Sequence, residues 1–194
     1  RMIGGIIMTH GDDSGLVLPP AVAPIQVVIV PIAAHKPGVI DTAAALADRL
    51  KGKVRVKLDD SDNSPGWKFA EYEMKGVPLR IEIGPRDIEA NQCVMVTRHN
   101  GEKTVVSLDE LETAVDKKLQ EVHDGMYAKA LANRQRRTYD CRTIEEIKEK
   151  LAEGGDGFVR AMWCGDPECE DKVKAETGVG SRCIPLEQER ISET

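Results

Sequence analysis

IQVVIVPIAAHKPGVIDTAAALADRLKGKVRVKL, residues 25–58, carries three unlike patterns in succession. Residues 25–32 form an apolar, β-branched run with no polar face, the composition of a central strand in a parallel sheet covered on both sides. Asp41 follows as an N-cap. Ala43, Leu46, Ala47 and Leu50 then recur at i, i+3, i+4 and i+7, which predicts a helix ended by Gly52 at the left-handed C′ position. Residues 54–58 alternate Val, Arg, Val, Lys, Leu, as a half-buried strand does. Strand, helix and strand over such a span make a βαβ unit and place the chain in the α/β class.

Downstream, DDSDNSPG at 59–66 is a loop by composition. A helix is expected over 67–75, with Phe69 or Ala70 and Glu73 or Met74 on successive turns, and a third strand over 78–83. Strands at 93–98 and 103–106 flank Asn100-Gly101, a dipeptide that tolerates the positive φ of a hairpin turn, so the sheet is expected to be mixed. Ser107 and Glu110 form an S-x-x-E capping box ahead of a long amphipathic helix through Leu111, Val115, Leu119, Val122 and Met126. A second box, Thr143 and Glu146, starts a helix with Ile144, Ile147 and Leu151 inward, stopped by Gly154-Gly155. The expected architecture is an α/β domain over 24–130, its mixed sheet flanked by helices, followed by a small α+β domain over 131–194. Residues 1–23 differ from both: a Gly-rich apolar segment, a polar turn (HGDDSG, 10–15) and a proline-studded linker, as where one domain ends and another begins. Arg1 is not an initiator methionine, so the chain is expected to be a piece of a longer protein.

Composition is that of an ordinary globular protein, 41% hydrophobic and 31% charged over 194 residues. No stretch is expected to cross a membrane. The most apolar one, residues 16–34, contains Pro19, Pro20, Pro24 and Pro31, which would break a spanning helix repeatedly. Residues 1–107 carry 13 basic and 13 acidic side chains and residues 108–194 carry 14 and 20, giving the net charge of −6. Such a balance makes the chain a poor general binder of nucleic acid, but is compatible with a specific partner met by local basic patches. One such patch, residues 129–142, holds Lys129, Arg134, Arg136, Arg137 and Arg142 against Asp140 alone; by pattern it is equally a solvated helix end.

The five cysteines lack the spacing of a disulfide scaffold. Cys93, in an apolar run, is a small core residue, and Cys141 carries no signal. Cys164-x4-Cys169 lies at the wide edge of the spacings that let two thiolates share a tetrahedral zinc, which needs four ligands. His10, His35, His99 and His123 suit no finger pattern. His10 with Asp12 and Asp13 fits a polar turn closing a domain junction better than a catalytic group. No phosphate-binding Gly-rich loop, nucleophile elbow or zinc-protease helix is present, and no catalytic residue is assigned.

RMIGG (1–5) followed by THGDDSGLVLPP (9–20) resembles the end of the class II catalytic core of prolyl-tRNA synthetases, in the branch found in archaea, eukaryotic cytoplasm and some bacteria. SPGWKF (64–69), EMKGVPLR (73–80) and GPRD (84–87) resemble the anticodon-binding domain of that branch. CGDPECED (164–171) and CIP (183–185) resemble its zinc-binding-like C-terminal domain. The matches run in family order over essentially the whole chain, with Ala21 standing where the family commonly has arginine. The resemblance implies a cytoplasmic enzyme that activates proline with ATP and Mg²⁺ and transfers it to tRNA(Pro), a homodimer through its catalytic core. It implies that Arg1 contacts ATP, that Glu73, Arg80, Asp87 and Lys103 read the anticodon, and that Cys164 and Cys169 are half of a zinc site completed by a further cysteine pair. The chain itself is expected to bind tRNA without charging it. Without the resemblance, Arg1 reads as a surface residue and the four charged residues as salt-bridging or solvated groups. Two other functions remain open: a standalone tRNA- or protein-binding module related to synthetase anticodon domains, and a small-molecule enzyme on the α/β sheet, for which no nucleotide fingerprint is present.

Overall fold

The run that opens the βαβ unit becomes Val27–Pro31 (β1), buried at all five positions. It pairs in parallel with Val56–Leu58 (β2) on one side and Leu79–Ile83 (β3) on the other. Gln92–Thr97 (β4) lies antiparallel to β3, and Lys103–Ser107 (β5) antiparallel to β4, giving a mixed sheet of order β2-β1-β3-β4-β5. This computed structural model describes residues 1–154 and 156–187. Gly155, expected with Gly154 to stop a helix, lies outside them.

A strand can be apolar on both faces only when both are covered, and here they are. On one face Val27, Ile29, Ile81, Ile83 and Met95 pack against Leu46 and Leu50 of Val39–Leu50 (α2) and against Leu111, Val115 and Leu119 of Leu111–Arg136 (α5). Cys93 belongs to this core, and burial pushes its thiol up to about 11. On the other face Val28 and Val30 meet Tyr72 and Phe69 of Pro65–Met74 (α3), together with Val77. The alternation of β3 follows: Leu79, Ile81 and Ile83 are buried in the first cluster, which leaves half-buried Arg80 and Glu82 on the α3 side.

Two helices begin or face differently from expectation. The helix α2 starts at Val39, so Asp41 sits inside its first turn and is not the cap. Gly38 takes φ +79°, which turns the chain into the helix earlier, and the Asp41 carboxylate still favours the positive end of the helix dipole. In α3 the buried residues are Lys68 and Tyr72, with Phe69 half-buried. Lys68 can turn inward because its Nζ donates to the carbonyls of Asp59 (2.9 Å) and Ser61 (2.7 Å) and sits 3.4 Å from the Asp59 carboxylate. The loop at 59–64 is thereby pinned to the helix. A short helix, Pro85–Glu89 (α4), follows β3, and an apolar helix, Met2–His10 (α1), precedes the polar turn without burying any residue.

The chain divides into two units, residues 1–130 and 131–194. In the second, Thr138–Asp140 (β6) and Phe158–Arg160 (β7) form a two-stranded parallel sheet, with Ile144–Gly154 (α6) as the crossover between them. The Thr143 hydroxyl accepts from Glu146 N–H at 3.2 Å, while the Glu146 carboxylate reaches back to Arg142 N–H at 2.7 Å. Arg160 grips Asp140 across the sheet with two bonds of 2.6 and 2.8 Å. A last helix, Pro167–Thr177 (α7), is N-capped by Asp166, whose carboxylate accepts from Glu168 N–H. Among the described residues no helix is long and apolar enough to cross a membrane.

Candidate nucleic-acid interface

The α3 side of the sheet opens into a cleft of about 430 Å³. Its walls come from the end of α3 (Tyr72, Glu73), from β3 (Arg80), from the β4–β5 hairpin (residues 96–101 and Lys103), and from Asp12 of the polar turn.

Arg80 is the most constrained of these. Its Nε donates to Glu82 Oε1 at 3.0 Å, one terminal nitrogen sits 2.9 Å from the same oxygen as an ion pair, and its guanidinium lies 4.1 Å from the centre of the Phe69 ring. The fork is thus held flat between an aromatic face and a carboxylate, with Nη1 unclaimed among the described residues. An arginine so held is preorganised to donate to an acceptor edge, whereas a lysine there would be a mobile point charge. Glu73, half-buried at the end of α3, and Lys103, exposed at the start of β5, line the same cleft. Among the described residues neither charged group has a hydrogen-bond or ion-pair partner. The cleft therefore offers a free acceptor, a fixed planar donor and a free cation. Single-stranded bases splayed from an RNA loop are read by that combination, with hydrogen bonds to base edges and stacking on flat side chains.

Asp87 is placed elsewhere. Its Oδ2 accepts from Gly84 N–H at 2.9 Å, capping α4, and it does not line the cleft. Arg1 stands exposed ahead of α1, also away from the cleft walls. The structure thus brings together Glu73, Arg80 and Lys103, and leaves Asp87 and Arg1 apart from them.

Three lining residues carried no functional assignment in the sequence. Arg98 grips the Asp12 carboxylate at 2.8 and 2.6 Å, and that contact holds the Asp12 carboxyl below its usual range. Beside it, His99 has its Nδ1 buried with no hydrogen-bond partner among the described residues, and burial lowers its pKa. The ring lies against Gly125 of α5, where an added Cβ would come within 2.5 Å of Nε2. Arg98 and Asp12 are 86 residues apart, and no local pattern links them.

Cys164 and Cys169 are both exposed. The neighbouring Cys164 thiol raises the Cys169 pKa. Among the described residues no group of three metal-binding side chains is assembled. Two thiols do not make the four-ligand set of a structural zinc, so the described residues do not fit a zinc centre.

Two family descriptions match the chain: "Anticodon binding domain" over residues 26–118, and "Prolyl-tRNA synthetase, C-terminal" over residues 144–194. Among curated proteins, the proline–tRNA ligase of Clostridium botulinum (strain 657 / Type Ba4) is 58% identical over 194 residues, and that of Alkaliphilus oremlandii (strain OhILAs) is 60% identical over 195. Each alignment covers 100% of this chain and 40% of the relative, so the chain spans well under half the length of these relatives. Among solved structures, the prolyl-tRNA synthetase of Cryptosporidium parvum, crystallised with L-proline and AMP, superposes with a TM-score of 0.90 at 40% identity. It covers 96% of this chain, which in turn covers 39% of that one.

Proposed function

Because this chain belongs to the prolyl-tRNA synthetase family, carrying its anticodon-binding and C-terminal domains, we propose that the cleft of Glu73, Arg80 and Lys103 reads the anticodon of tRNA(Pro). The observation that carries this is the meeting, at one cleft, of an uncommitted carboxylate, a stacked arginine and an uncommitted ammonium. Proline anticodons share two guanines. The Watson–Crick edge of guanine presents N–H donors to a carboxylate, while its O6 and N7 accept from an arginine fork. Lys103, exposed at the hairpin edge, supplies charge to a base edge or to the backbone phosphate. Asp87, as the cap of α4, acts on the anticodon by fixing the chain that follows β3.

The 194 residues are assigned the recognition step. For the whole synthetase we propose ATP- and Mg²⁺-dependent activation of proline and its transfer to tRNA, in the cytoplasm, by a homodimer joined through the catalytic core. Residues 1–23 are assigned to the end of that core, with Arg1 as an ATP contact, residues 24–130 to the anticodon domain, and residues 131–194 to the C-terminal domain. The paired thiols of Cys164 and Cys169 contribute half of a zinc set at most.

Binding of tRNA(Pro), compared with the same tRNA lacking its anticodon guanines, tests the recognition step. Arg80→Ala is expected to weaken binding of the cognate tRNA by about 1–3 kcal/mol and to leave the altered tRNA little changed. Equal losses for both tRNAs would make Arg80 a phosphate clamp and remove the case for base reading there.

A further inference from the structure

Arg98 lines the cleft, yet its side chain is only 6% exposed, and hydrogen bonds already occupy three faces of its fork. Nη1 and Nη2 hold the two oxygens of Asp12, and Nε donates to the backbone carbonyl of Glu73 at 2.9 Å. That carbonyl belongs to the last turn of α3 and also accepts from Gly76 N–H at 3.0 Å. A guanidinium at this place satisfies an end-of-helix acceptor and matches the negative end of the helix dipole.

Asp12 is fixed in turn. The turn at 12–15 closes through reciprocal backbone bonds between Asp12 and Gly15 (3.1 and 3.0 Å). Gly15, at φ +125°, lies so near Met74 that a Cβ would come within 2.6 Å of its carbonyl oxygen. Leu16 N–H donates to Met74 O and Leu18 N–H to Gly76 O. The carbonyls of Glu73, Met74 and Gly76 are therefore all tied down by the same small cluster, while the Glu73 carboxylate stays free at the cleft.

We infer that Arg98, held by Asp12, is a positioning residue for base reading by Glu73: it anchors the Glu73 backbone so that the carboxylate meets the base in one orientation. Too buried to meet RNA itself, Arg98 acts through Glu73. The fork geometry is essential, because an ammonium cannot hold two carboxylate oxygens and a carbonyl in one plane. This inference rests on the proposal that the cleft reads the anticodon.

The test is the ratio of affinities of the 194-residue chain for tRNA(Pro) and for the same tRNA with its anticodon guanines replaced by adenine. It is measured for the parent chain, Glu73→Ala, Arg98→Lys and the double variant, with thermal melts alongside. Arg98→Lys is expected to lower the ratio roughly tenfold, as one well-placed base contact does, and to have no further effect in the Glu73→Ala background. Asp12→Asn, which keeps the shape and removes the charge, is expected to act in the same direction and provides a second probe should Arg98→Lys fail to fold. Additive losses in the double variant, or equal weakening of both tRNAs by Arg98→Lys and Asp12→Asn, would overturn the inference while leaving base reading by Glu73 intact. An unchanged ratio in Glu73→Ala would instead overturn the base reading itself, and this inference with it.

Discussion

A half-buried imidazole whose Nδ1 is shut from solvent with no partner among the described residues is a cost that the fold carries, and His99 makes it visible through pH. Burial lowers the His99 pKa from its ordinary 6.5; Glu102 and Glu121 pull the other way, while Lys118 and Lys129 add to the lowering. His10 is shifted the same way, by burial and by Lys129. A histidine whose folded pKa is depressed is protonated more readily when unfolded. Stability is therefore complete above the ordinary imidazole value and falls as pH drops below it. Urea unfolding should show constant stability from about pH 8 to 7 and a decline between about pH 6.5 and 5, with a shallower slope in His99→Gln. The low-lying carboxyls of Asp12, beside Arg98, and Glu112, held at about 2 by Arg49, lose their contribution only in more acid solution. A flat profile across the histidine window would show that neither imidazole titrates differently on folding. At this scale the sequence was legible where a residue's role is local. Cys93 reads as core from its apolar neighbours and is core. The Arg98–Asp12 pair was not legible, because its two halves lie on different elements and only the folded chain brings them together.

Among the elements, α5 contains a glycine in its interior, which costs a helix about 1 kcal/mol relative to alanine. On propensity alone Gly125→Ala should stabilise. The ring of His99 occupies the space a Cβ would need and must shift to admit it, so the substitution is expected to lose most or all of that gain. The loss should be relieved in the His99→Ala background, and a denaturant-unfolding cycle over the four variants measures that coupling. The same contrast of local pattern and tertiary contact explains what the sequence conveyed about each element. β1 is buried on both faces and shows it as a run without polar residues; β3 shows its covered face in alternation. The start of α2 was read three residues late because Asp41 is a good cap, whereas the actual entry depends on Gly38 adopting a left-handed conformation. The inward side of α3 was hidden because Lys68 is an unlikely core residue until two loop carbonyls and Asp59 surround it. Asp87 carries a similar ambiguity: a carboxylate three residues into G-P-R-D can cap a helix or face a ligand, and here it caps.

Over the whole molecule, burial is uneven. The clusters built on Ile29, Val30 and Val122 all lie within residues 1–130. Among the described residues of the second unit, the buried apolar side chains are Cys141 and Ile147. Protection from hydrogen exchange follows buried contact and backbone pairing. Amides of β1, β3 and β4 are therefore expected to be the slowest to exchange, and those of β6 and β7 to exchange orders of magnitude faster; peptide-level exchange read by mass spectrometry checks this. Comparable protection in both units would mean that the smaller one gains its stability from something other than its own core. The net charge of −6 also takes on meaning at this scale. The proposed binding of tRNA cannot draw its affinity from the average surface, so on that proposal it depends on a few placed groups, and discrimination between anticodons should survive salt better than affinity does.

The docked turn at 12–15 sets a limit on modularity. A recognition domain taken by its sheet alone would be cut near Pro24, at the end of the proline linker, and moved to another protein from there. Such a transplant would leave Arg98, 6% exposed in the intact chain, without the carboxylate that takes two of its hydrogen bonds. It would also uncover the end of α3 that carries Glu73. The smallest piece that can be exchanged between proteins with its specificity intact therefore begins before Gly11, on the far side of the linker.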